Sequence, residues 1–231
     1  MRILYQDEYI AVVHKAAGES VQSSRVGEPD LVSMLMNETG SPFIGIVHRL
    51  DRPVEGVMVF AKTKEAAAYL SEQIRERKTE KIYDAFTVPD MGQEYADGDK
   101  GSEGTVTLTD FILFDRRTNT SSVVPEGTAG GKKAVLEYST EKIYDGEHFS
   151  IAHLRIRLHT GRHHQIRVQL SNAGLPILGD RKYAAIPDGY GGPLCLGASK
   201  LSFDHPADGR RMHYELEPEF VTHREDLIAN L

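Results

Sequence analysis

A chain of 231 residues, 40% hydrophobic and 26% charged, can bury a substantial core and has the composition of an ordinary globular protein. Its single cysteine, Cys195, excludes an intrachain disulfide and a zinc site built on cysteines. The first residues lack the pattern of a signal peptide, and no apolar run approaches the length that spans a bilayer. We therefore expect a cytoplasmic protein that does not contact membranes.

The net charge of −7 argues, taken alone, against a nucleic-acid partner, because contacts to phosphate groups require a basic surface. The distribution of charge matters more than its sum. Basic residues recur between positions 49 and 64, at 132–133 and between 155 and 182, and the fold could gather them into a basic cleft. The alternative is that they are scattered surface charges.

The first third of the chain is predicted to contain three strands and two helices. Short strands are predicted at residues 1–5 and 9–14, separated by a polar turn. Helical spacing predicts a helix that starts at Asp30 and ends at Gly40. A strand follows at 56–62, and Thr63 is a suitable N-cap for a helix that extends to about residue 78.

The remainder is predicted to be rich in strands, at 81–88, 105–114, 134–142 and 151–159, with a surface loop at 89–104. One more helix is predicted at 165–173, with Gly174 as its C-cap. Because strands dominate without a regular alternation with helices, we expect an α+β fold with a largely antiparallel mixed sheet and a few flanking helices. No linker is visible, so we expect one domain over residues 1–231.

The segment around Asp51 carries the first candidate chemistry. Asp51 lies between Arg49 and Arg52, immediately before an apolar strand. Arginine stays charged at all relevant pH values, and a neighbouring guanidinium favours the ionised form of a carboxyl group. Such a carboxylate suits nucleophilic attack or proton abstraction. A surface ion pair in a turn is the alternative.

A second cluster lies at residues 160–167, where two arginines, two histidines and a glutamine occupy the start of a predicted helix. This arrangement favours a phosphate or carboxylate ligand. A histidine metal site is less favoured, since the cluster has no acidic ligand and its arginines would repel a cation. Tyr83, on a predicted strand, has a flat face for stacking on a base, although such a tyrosine also serves as a core or edge aromatic.

Five segments, in order from about Ile3 to Pro206, resemble the RluA-type pseudouridine synthases. HRLDRPVEGVMVFAKT resembles their HRLD-x-x-T-S-G signature, and TEKIYDAFTV resembles their K-x-Y-x-A strand. HTGRHHQIRVQLSNAGLPILGDRKY resembles their G-R-x-H-Q-I/L-R-V-H-L…G-x-P-I-x-G-D-x-x-Y stretch, and LCLGASKLSFDHP their L-x-L-H-A-x-x-L-x-F-x-H-P. The opening ILYQDEYIAVVHKAAG resembles their strand-turn-strand start, which ends in N-K-P-x-G.

This resemblance implies the pseudouridine synthase catalytic fold and an isomerase that converts specific uridines to pseudouridine in tRNA or rRNA. It implies a nucleophile at Asp51, a stacking or proton-handling ring at Tyr83 and a basic partner for the aspartate at Arg167. Substrate contacts are implied at four further positions, namely Arg49 beside the flipped base, Ile166 in the uracil pocket, and Arg162 and His164 at the phosphate or in support of the site's geometry.

The isomerisation is balanced in atoms and electrons, so we expect no cofactor and no metal. Because the chain begins directly on the catalytic fold, with no separate N-terminal RNA-binding domain, we expect it to recognise a compact RNA stem-loop by itself, as a monomer without a required protein partner. Two alternatives stay open, namely a catalytically silent RNA-binding protein of the same fold and a hydrolase of small phosphorylated molecules.

The sequence departs from the motifs at several positions, and none of these replaces Asp51, Tyr83 or Arg167, so activity is expected. Histidine and alanine stand for asparagine and proline in N-K-P, valine and glutamate for threonine and serine after HRLD, and glutamine and glycine for histidine in the last two motifs. These departures are His14, Ala16, Val54, Glu55, Gln169 and Gly197.

Overall fold

The computed structural model describes residues 1–23, 27–88, 104–145, 150–184 and 190–229. Most of the predicted loop at 89–104 therefore lies outside the described residues. In chain order the elements are β1 Arg2–Gln6, β2 Ile10–Lys15, α1 Leu31–Thr39, β3 Gly45–Ile46, β4 Glu55–Ala61, α2 Lys64–Arg75, β5 Glu80–Thr87, β6 Val106–Asp115, β7 Thr120–Val124, β8 Lys132–Asp145, β9 Ser150–Leu158, α3 Gln165–Asn172, β10 Leu196–Asp204, β11 Arg211–Glu215, α4 Glu219–Thr222 and α5 Arg224–Ala229.

The chain divides into two compact units. The first consists of Met1–Lys81 and Gly197–Pro218, and the second of Ile82–Leu196 and Glu219–Leu231. The chain enters the second unit within β5 and returns to the first at the start of β10. The single domain over residues 1–231 stays a prediction.

In the first unit, β4 is the central strand and every one of its residues is buried. It pairs antiparallel with β2 and β3, and parallel with β10, which in turn pairs with β11. The apolar faces of these strands pack with α2, through residues such as Val57, Leu70 and Phe203. This burial on all sides explains the continuous apolar run at 57–61, which has no alternation of polar residues.

Gly56 permits the close approach of β4 and β10. Its φ of 135° lies in a region that side-chain-bearing residues rarely adopt, and a Cβ at this position would lie 2.3 Å from the carbonyl oxygen of Ala198. Only glycine fits there. The glycine of the HRLD segment, the second residue of β4, is therefore required by the close approach of Ala198.

The second unit contains strands in the order β5-β9-β8-β6-β7, and its named pairs are all antiparallel. Helix α3 packs on this sheet, where Val168 joins Ile112 and Ala134 in one small core. A second core contains Phe86 from β5 and Phe220 from α4. The prediction of an α+β fold with a largely antiparallel mixed sheet is confirmed.

The predicted helix boundaries agree with the structure where capping residues define them. Asp30 accepts a hydrogen bond from the N–H of Ser33 at the start of α1, and Gly40 ends that helix with a φ of 64°. Helix α2 begins after Thr63, as predicted, but ends at Arg75 because Arg77 adopts a left-handed conformation with a φ of 59°. The predicted extension to about residue 78 is therefore too long.

Candidate active site

Asp51 lies in a tight turn between β3 and β4 of the first unit. The N–H of Val54 donates to the carbonyl oxygen of Asp51 at 3.0 Å, which closes the turn. Leu50 and Val54 on either side are buried, whereas Asp51 itself is half-buried. The apolar neighbours therefore anchor the turn, while part of the surface of Asp51 is exposed to solvent.

Lys15, at the end of β2, stabilises this turn by hydrogen bonds to its backbone. Its ammonium group donates to the carbonyl oxygens of Val54 at 2.6 Å, Arg52 at 2.9 Å and Ala16 at 3.2 Å. The side chain has no exposed surface. Desolvation lowers the pKa of Lys15 to about 8, although the negative charges of Glu19 and Asp51 oppose this shift. Lys15 thus fixes the backbone on the carboxyl side of Asp51.

The two arginines of the same segment point to different partners. The Nη2 of Arg49 donates to the side-chain oxygen of Gln22 at 3.2 Å, and the Nε of Arg52 donates to the carbonyl oxygen of Gly18 at 2.9 Å. Both arginine side chains are exposed. Arg52 ties the loop after β2 to the Asp51 turn, while Arg49 remains at the surface with its charge accessible.

His48 is a neutral structural group in this segment. Its Nε2 accepts the backbone N–H of Val59 at 3.1 Å, so the proton of the neutral ring lies on Nδ1. Desolvation, with a smaller contribution from Lys81, lowers the pKa of His48 to about 3. The histidine of HRLD therefore joins the loop to β4 by a hydrogen bond and carries no charge at neutral pH.

Three departures from the family motifs are neighbours in the first unit. The Nε2 of His14 lies 3.6 Å from a carboxylate oxygen of Glu55, which is buried in β4. Gly197 pairs with Glu55 across the parallel strands, and a Cβ on Gly197 would lie 2.6 Å from the ring of Pro218. These substitutions therefore form one packed group, and Glu55 faces a histidine in the protein interior.

Arg167 lies in α3 of the second unit and is bound by a buried carboxylate. Its Nε and Nη2 donate to the two carboxylate oxygens of Asp180 at 2.8 and 2.7 Å. Both side chains are buried, at 6% and 1% exposure. Because Asp180 also accepts the backbone N–H groups of Lys182 and Tyr183, it fixes the guanidinium to the turn that follows α3.

Tyr183 connects this ion pair to His164. Its ring lies against the guanidinium of Arg167, whose central carbon is 5.1 Å from the ring centroid. The Tyr183 oxygen accepts the N–H of Ser121 at 2.8 Å and lies 2.6 Å from Nδ1 of His164. Desolvation, with smaller effects of Arg167 and His163, lowers the pKa of His164 to about 3. Tyr183 therefore donates its proton to Nδ1 of a neutral His164, whose own proton lies on Nε2.

His164 adopts an unusual backbone conformation for this role. Its φ of 51° and ψ of 28° place it in the left-handed region, directly before α3. This conformation costs about 1–3 kcal/mol in a residue other than glycine, and such residues occur at active sites as well as in turns and at helix ends. The hydrogen bond from Tyr183 and the packing of the buried ring offset that cost.

The other predicted residues of the second unit have separate positions. Tyr83 is buried in β5, opposite Ile156 of β9, and Ile166 is buried in the first turn of α3. Arg162 is exposed, and its Nε donates to the carbonyl oxygen of Lys133 at 2.9 Å. The structure thus links His164 to Arg167 through Tyr183, whereas Asp51 and Arg49 belong to the first unit. Their convergence with Tyr83 and Arg167 stays a prediction.

Three supporting residues were missed from the sequence as site residues, namely Lys15, Asp180 and Tyr183. Each stands within a motif that carries the family resemblance, in N-K-P-x-G or in G-D-x-x-Y. The signal was therefore visible, but a lysine in a strand and an aspartate in a turn reveal no partner until the fold is known. Gln169, a departure from the same motifs, is fully buried and bridges Gln165 to Asp110.

Within the described ranges, no group of three or more histidine, cysteine, aspartate or glutamate side chains is arranged to hold a metal ion. Among the same residues, no helix is both long and apolar enough to cross a membrane.

Comparison with known proteins gives one consistent family. The family described as RNA pseudouridylate synthase matches residues 9–172, a range that contains Asp51, Tyr83 and Arg167. The chain is 35% identical to the dual-specificity RNA pseudouridine synthase RluA of Escherichia coli, over 94% of this chain and 93% of that protein. It is 33% identical to the ribosomal large subunit pseudouridine synthase D of Pseudomonas aeruginosa, over 93% of this chain and 67% of that protein.

A solved structure shares the fold. Human RNA pseudouridylate synthase domain containing 4 superposes with a TM-score of 0.73 at 24% identity, over 98% of this chain and 92% of that chain. The fold predicted from the motif resemblance is therefore confirmed.

Proposed function

This chain belongs to the RNA pseudouridylate synthase family, and we propose that it isomerises uridine to pseudouridine in RNA with Asp51 as its nucleophile. The reaction breaks the bond between N1 of uracil and C1′ of ribose and joins C5 to C1′, so reactant and product have the same atoms and electrons. The work of the protein is to expose the base, activate one bond and hold the detached ring. The proposal rests on the family match, which contains all three residues of the predicted catalytic set.

The proposed roles follow from the chemistry of each group. Asp51 attacks the nucleoside as a carboxylate, held in a turn that Lys15 fixes by hydrogen bonds. Arg167 is the basic partner that keeps Asp51 ionised once water is excluded. Tyr83 offers a ring for stacking on the uracil or a hydroxyl for proton transfer.

The proposed substrate contacts include charged arginine side chains as well as neutral and apolar side chains. Arg49 and Arg162 have exposed guanidinium groups. Arg49 would occupy the space beside the flipped base, and Arg162 would bind a phosphate. His164 supports the geometry through its bond to Tyr183, because a neutral ring offers no positive charge to a phosphate. Ile166 supplies an apolar wall for uracil.

We propose that the substrate is a stem-loop of tRNA or rRNA, because bases in loops are already partly unstacked and cost less to flip. The Escherichia coli relative is described as dual-specificity and the Pseudomonas aeruginosa relative as acting on the large ribosomal subunit, which supports testing both RNA classes. A monomer that acts without a protein partner, in the cytoplasm, stays part of this proposal.

The decisive experiment compares wild type with Asp51→Asn and Asp51→Ala on total tRNA and on rRNA transcripts, with pseudouridine mapped by chemical sequencing. We expect both variants to lose activity by at least about a thousandfold, the scale on which nucleophiles contribute. Their RNA affinity should stay within a few-fold of wild type, and Asp208→Asn, an exposed control, should be fully active. Wild-type rates in Asp51→Ala would exclude Asp51 as the nucleophile, and RNA binding without turnover by wild type would favour the silent RNA-binding protein.

A further inference from the structure

The end of β6 presents an aromatic ring to solvent. Phe114 is 39% exposed, although the residue two positions earlier on the same face, Ile112, is buried in the core beneath α3. The other part of the Phe114 ring lies against His163, with ring centroids 4.0 Å apart and planes tilted by 39°. Phe114 is therefore the outer member of a stacked pair.

The stack continues inward and is held by hydrogen bonds. The ring of His163 lies 3.7 Å from that of His164, at a tilt of 31°. Ser121, which pairs with Phe114 across β6 and β7, donates its hydroxyl to the carbonyl oxygen of His163 at 2.8 Å. Its oxygen also lies 3.0 Å from Nδ1 of His163, which can then donate to it. The rings are thus fixed in position before any ligand arrives.

The inner end of the stack reaches the proposed basic partner of Asp51. The ring of His164 meets that of Tyr183 edge-on at 5.5 Å, and the Tyr183 ring covers the guanidinium of Arg167. A continuous series of ring contacts therefore leads from the exposed face of Phe114 to Arg167, entirely within the second unit.

Three basic residues lie in or beside the turn that follows Phe114. Arg116 and Arg117 follow Phe114 in the turn between β6 and β7, and both are exposed. Lys182 joins the same turn, because its ammonium group donates to the carbonyl oxygen of Asn119 at 2.7 Å. The carboxylate of Asp115 lies 3.9 Å from Nε of Arg117 and balances one of these charges. An exposed ring flanked by cations suits a nucleobase and its phosphates.

We propose that the exposed face of Phe114 stacks an unpaired nucleobase of the RNA substrate, while Arg116 and Lys182 bind the adjoining phosphates. This assignment rests on the proposed function insofar as the partner is RNA, but it concerns affinity and not the chemical step. Stacking on an aromatic side chain tolerates any base, because each base has a π-face. The site therefore holds the strand and leaves the choice of uridine to other contacts.

Binding can be measured directly, because the chain contains no tryptophan. Phe114→Trp introduces a single indole whose fluorescence reports a stacked base. The probe is a single-stranded RNA about eight nucleotides long, a length within the site sizes of single-strand binding proteins. A matched oligonucleotide that lacks its bases but keeps its phosphates is the reference. We expect quenching by the RNA and not by the abasic strand.

Phe114→Leu removes the π-face and keeps an apolar side chain. We expect it to weaken binding of tRNA by about 5- to 140-fold, which corresponds to the about 1–3 kcal/mol of one stacked base. Tyr69→Leu, which removes an exposed aromatic ring from α2 of the first unit, is the matched control and should bind as wild type. The rate at saturating RNA should be unchanged in both variants, which separates this site from the role of Asp51.

Arg116→Gln tests the phosphate contact. We expect the slope of log affinity against log salt concentration to decrease by about 0.7 to 0.9, the amount that one phosphate contact contributes. Unchanged RNA affinity in Phe114→Leu, or indole fluorescence in Phe114→Trp that responds equally to RNA and to the abasic strand, would overturn the proposal. Neither result would affect the Asp51 assignment, which depends on turnover.

Discussion

The two units hold their proposed catalytic charges in opposite ways. In the first unit, the buried Lys15 fixes the loop of Asp51. It donates hydrogen bonds to the backbone carbonyl oxygens of Ala16, Arg52 and Val54, and none of these three acceptors is a carboxylate. In the second, Arg167 is fixed by a bidentate ion pair with Asp180. Lys15 therefore acts on the backbone beside the negative group, whereas Asp180 acts on the side chain of the positive group.

This difference separates two requirements of the proposed chemistry. A nucleophilic carboxylate must direct an oxygen at the substrate, and the hydrogen bonds of Lys15 fix the main chain of the turn without occupying the carboxylate oxygens. A guanidinium that stabilises charge needs a fixed direction, and a planar bidentate contact supplies it. Substitution of each supporting residue tests whether the two units depend on these contacts to different degrees.

The largest effect is expected for Asp180→Asn. The substitution keeps the shape of the side chain but leaves Arg167 as a buried cation with an incomplete partner, which destabilises by about 3–5 kcal/mol. We expect this loss in the free energy of unfolding measured with urea, and a decrease in kcat that exceeds the change in KM. Asp115→Asn, at an exposed ion pair with Arg117, should change stability by less than about 1 kcal/mol.

A kcat close to that of wild type in a folded Asp180→Asn would show that Arg167 needs no such support. Only the Asp51 loop of the first unit would then depend on a supporting residue for its activity.

The next effect is expected for Lys15→Met, which keeps the length of the side chain and removes its three donors. A buried acceptor that loses its donor costs about 1–3 kcal/mol, and removal of a desolvated charge offsets part of that cost, so we expect a net loss of about 2 kcal/mol. Activity should fall further than this loss explains, because the Asp51 turn is released. Lys64→Met, at an exposed position, is the matched control.

Because of the lowered pKa of Lys15, we expect stability and activity to change in opposite directions as the pH rises. Its pKa in the folded chain is about 8, lowered by desolvation from the ordinary value of 10.5. Between these values the unfolded chain holds a proton that the folded chain has released, so the contribution of Lys15 to the free energy of unfolding rises with pH. Turnover should fall over the same range, since a neutral amine has fewer protons to donate.

Both quantities can be followed from about pH 7 to about pH 11, which spans the two pKa values. In Lys15→Met the part of each dependence that this lysine causes should be absent, whereas the contribution of Lys81, whose pKa is also lowered by desolvation, should remain. An alkaline decrease in turnover that is identical in wild type and Lys15→Met would assign it to another group.

Much of the framework could be predicted from the sequence, because caps and periodicity are local signals. Asp30, Thr63 and Gly40 define helix ends with their own side chains or backbone freedom, and these boundaries are confirmed. Strand β10 was not predicted as an element, since its glycine, alanine and serine residues have low strand propensity and its place depends on parallel pairing with β4. Strand β7 was not predicted either, since it is short and begins with three polar residues.

The site was predictable only to the level of residue types. The motifs identified Arg167, and its pairing with Asp51 stays a prediction, but they gave no indication of Asp180, thirteen positions along the chain. Likewise the motifs gave no indication that Glu55, a departure after HRLD, is buried opposite His14. Contacts between side chains distant in sequence depend on register and packing, which no single motif encodes.

The smallest change in stability is expected in the group formed by His14, Glu55 and Gly197, the motif departures of the first unit. A substitution there tests whether these residues are packed together as one group. In Gly197→Ala the new methyl group would lie 2.6 Å from Cγ and 2.8 Å from Cβ of Pro218, so the proline ring must move. We expect the free energy of unfolding to decrease by about 1–2 kcal/mol, in the lower part of the range for overpacked cores. Gly191→Ala, where nothing lies within 4 Å of the added Cβ, should be close to neutral.

Combining Gly197→Ala with Pro218→Ala identifies the cause of that loss. If the proline ring is the obstacle, the double variant should be more stable than the sum of the two single changes predicts, because the second substitution removes the clash that the first creates. Strict additivity in thermal or urea unfolding would contradict this explanation. Since neither residue belongs to the proposed catalytic set, turnover at saturating RNA should remain near that of wild type, so this group tests packing apart from the chemistry that Lys15 and Asp180 support.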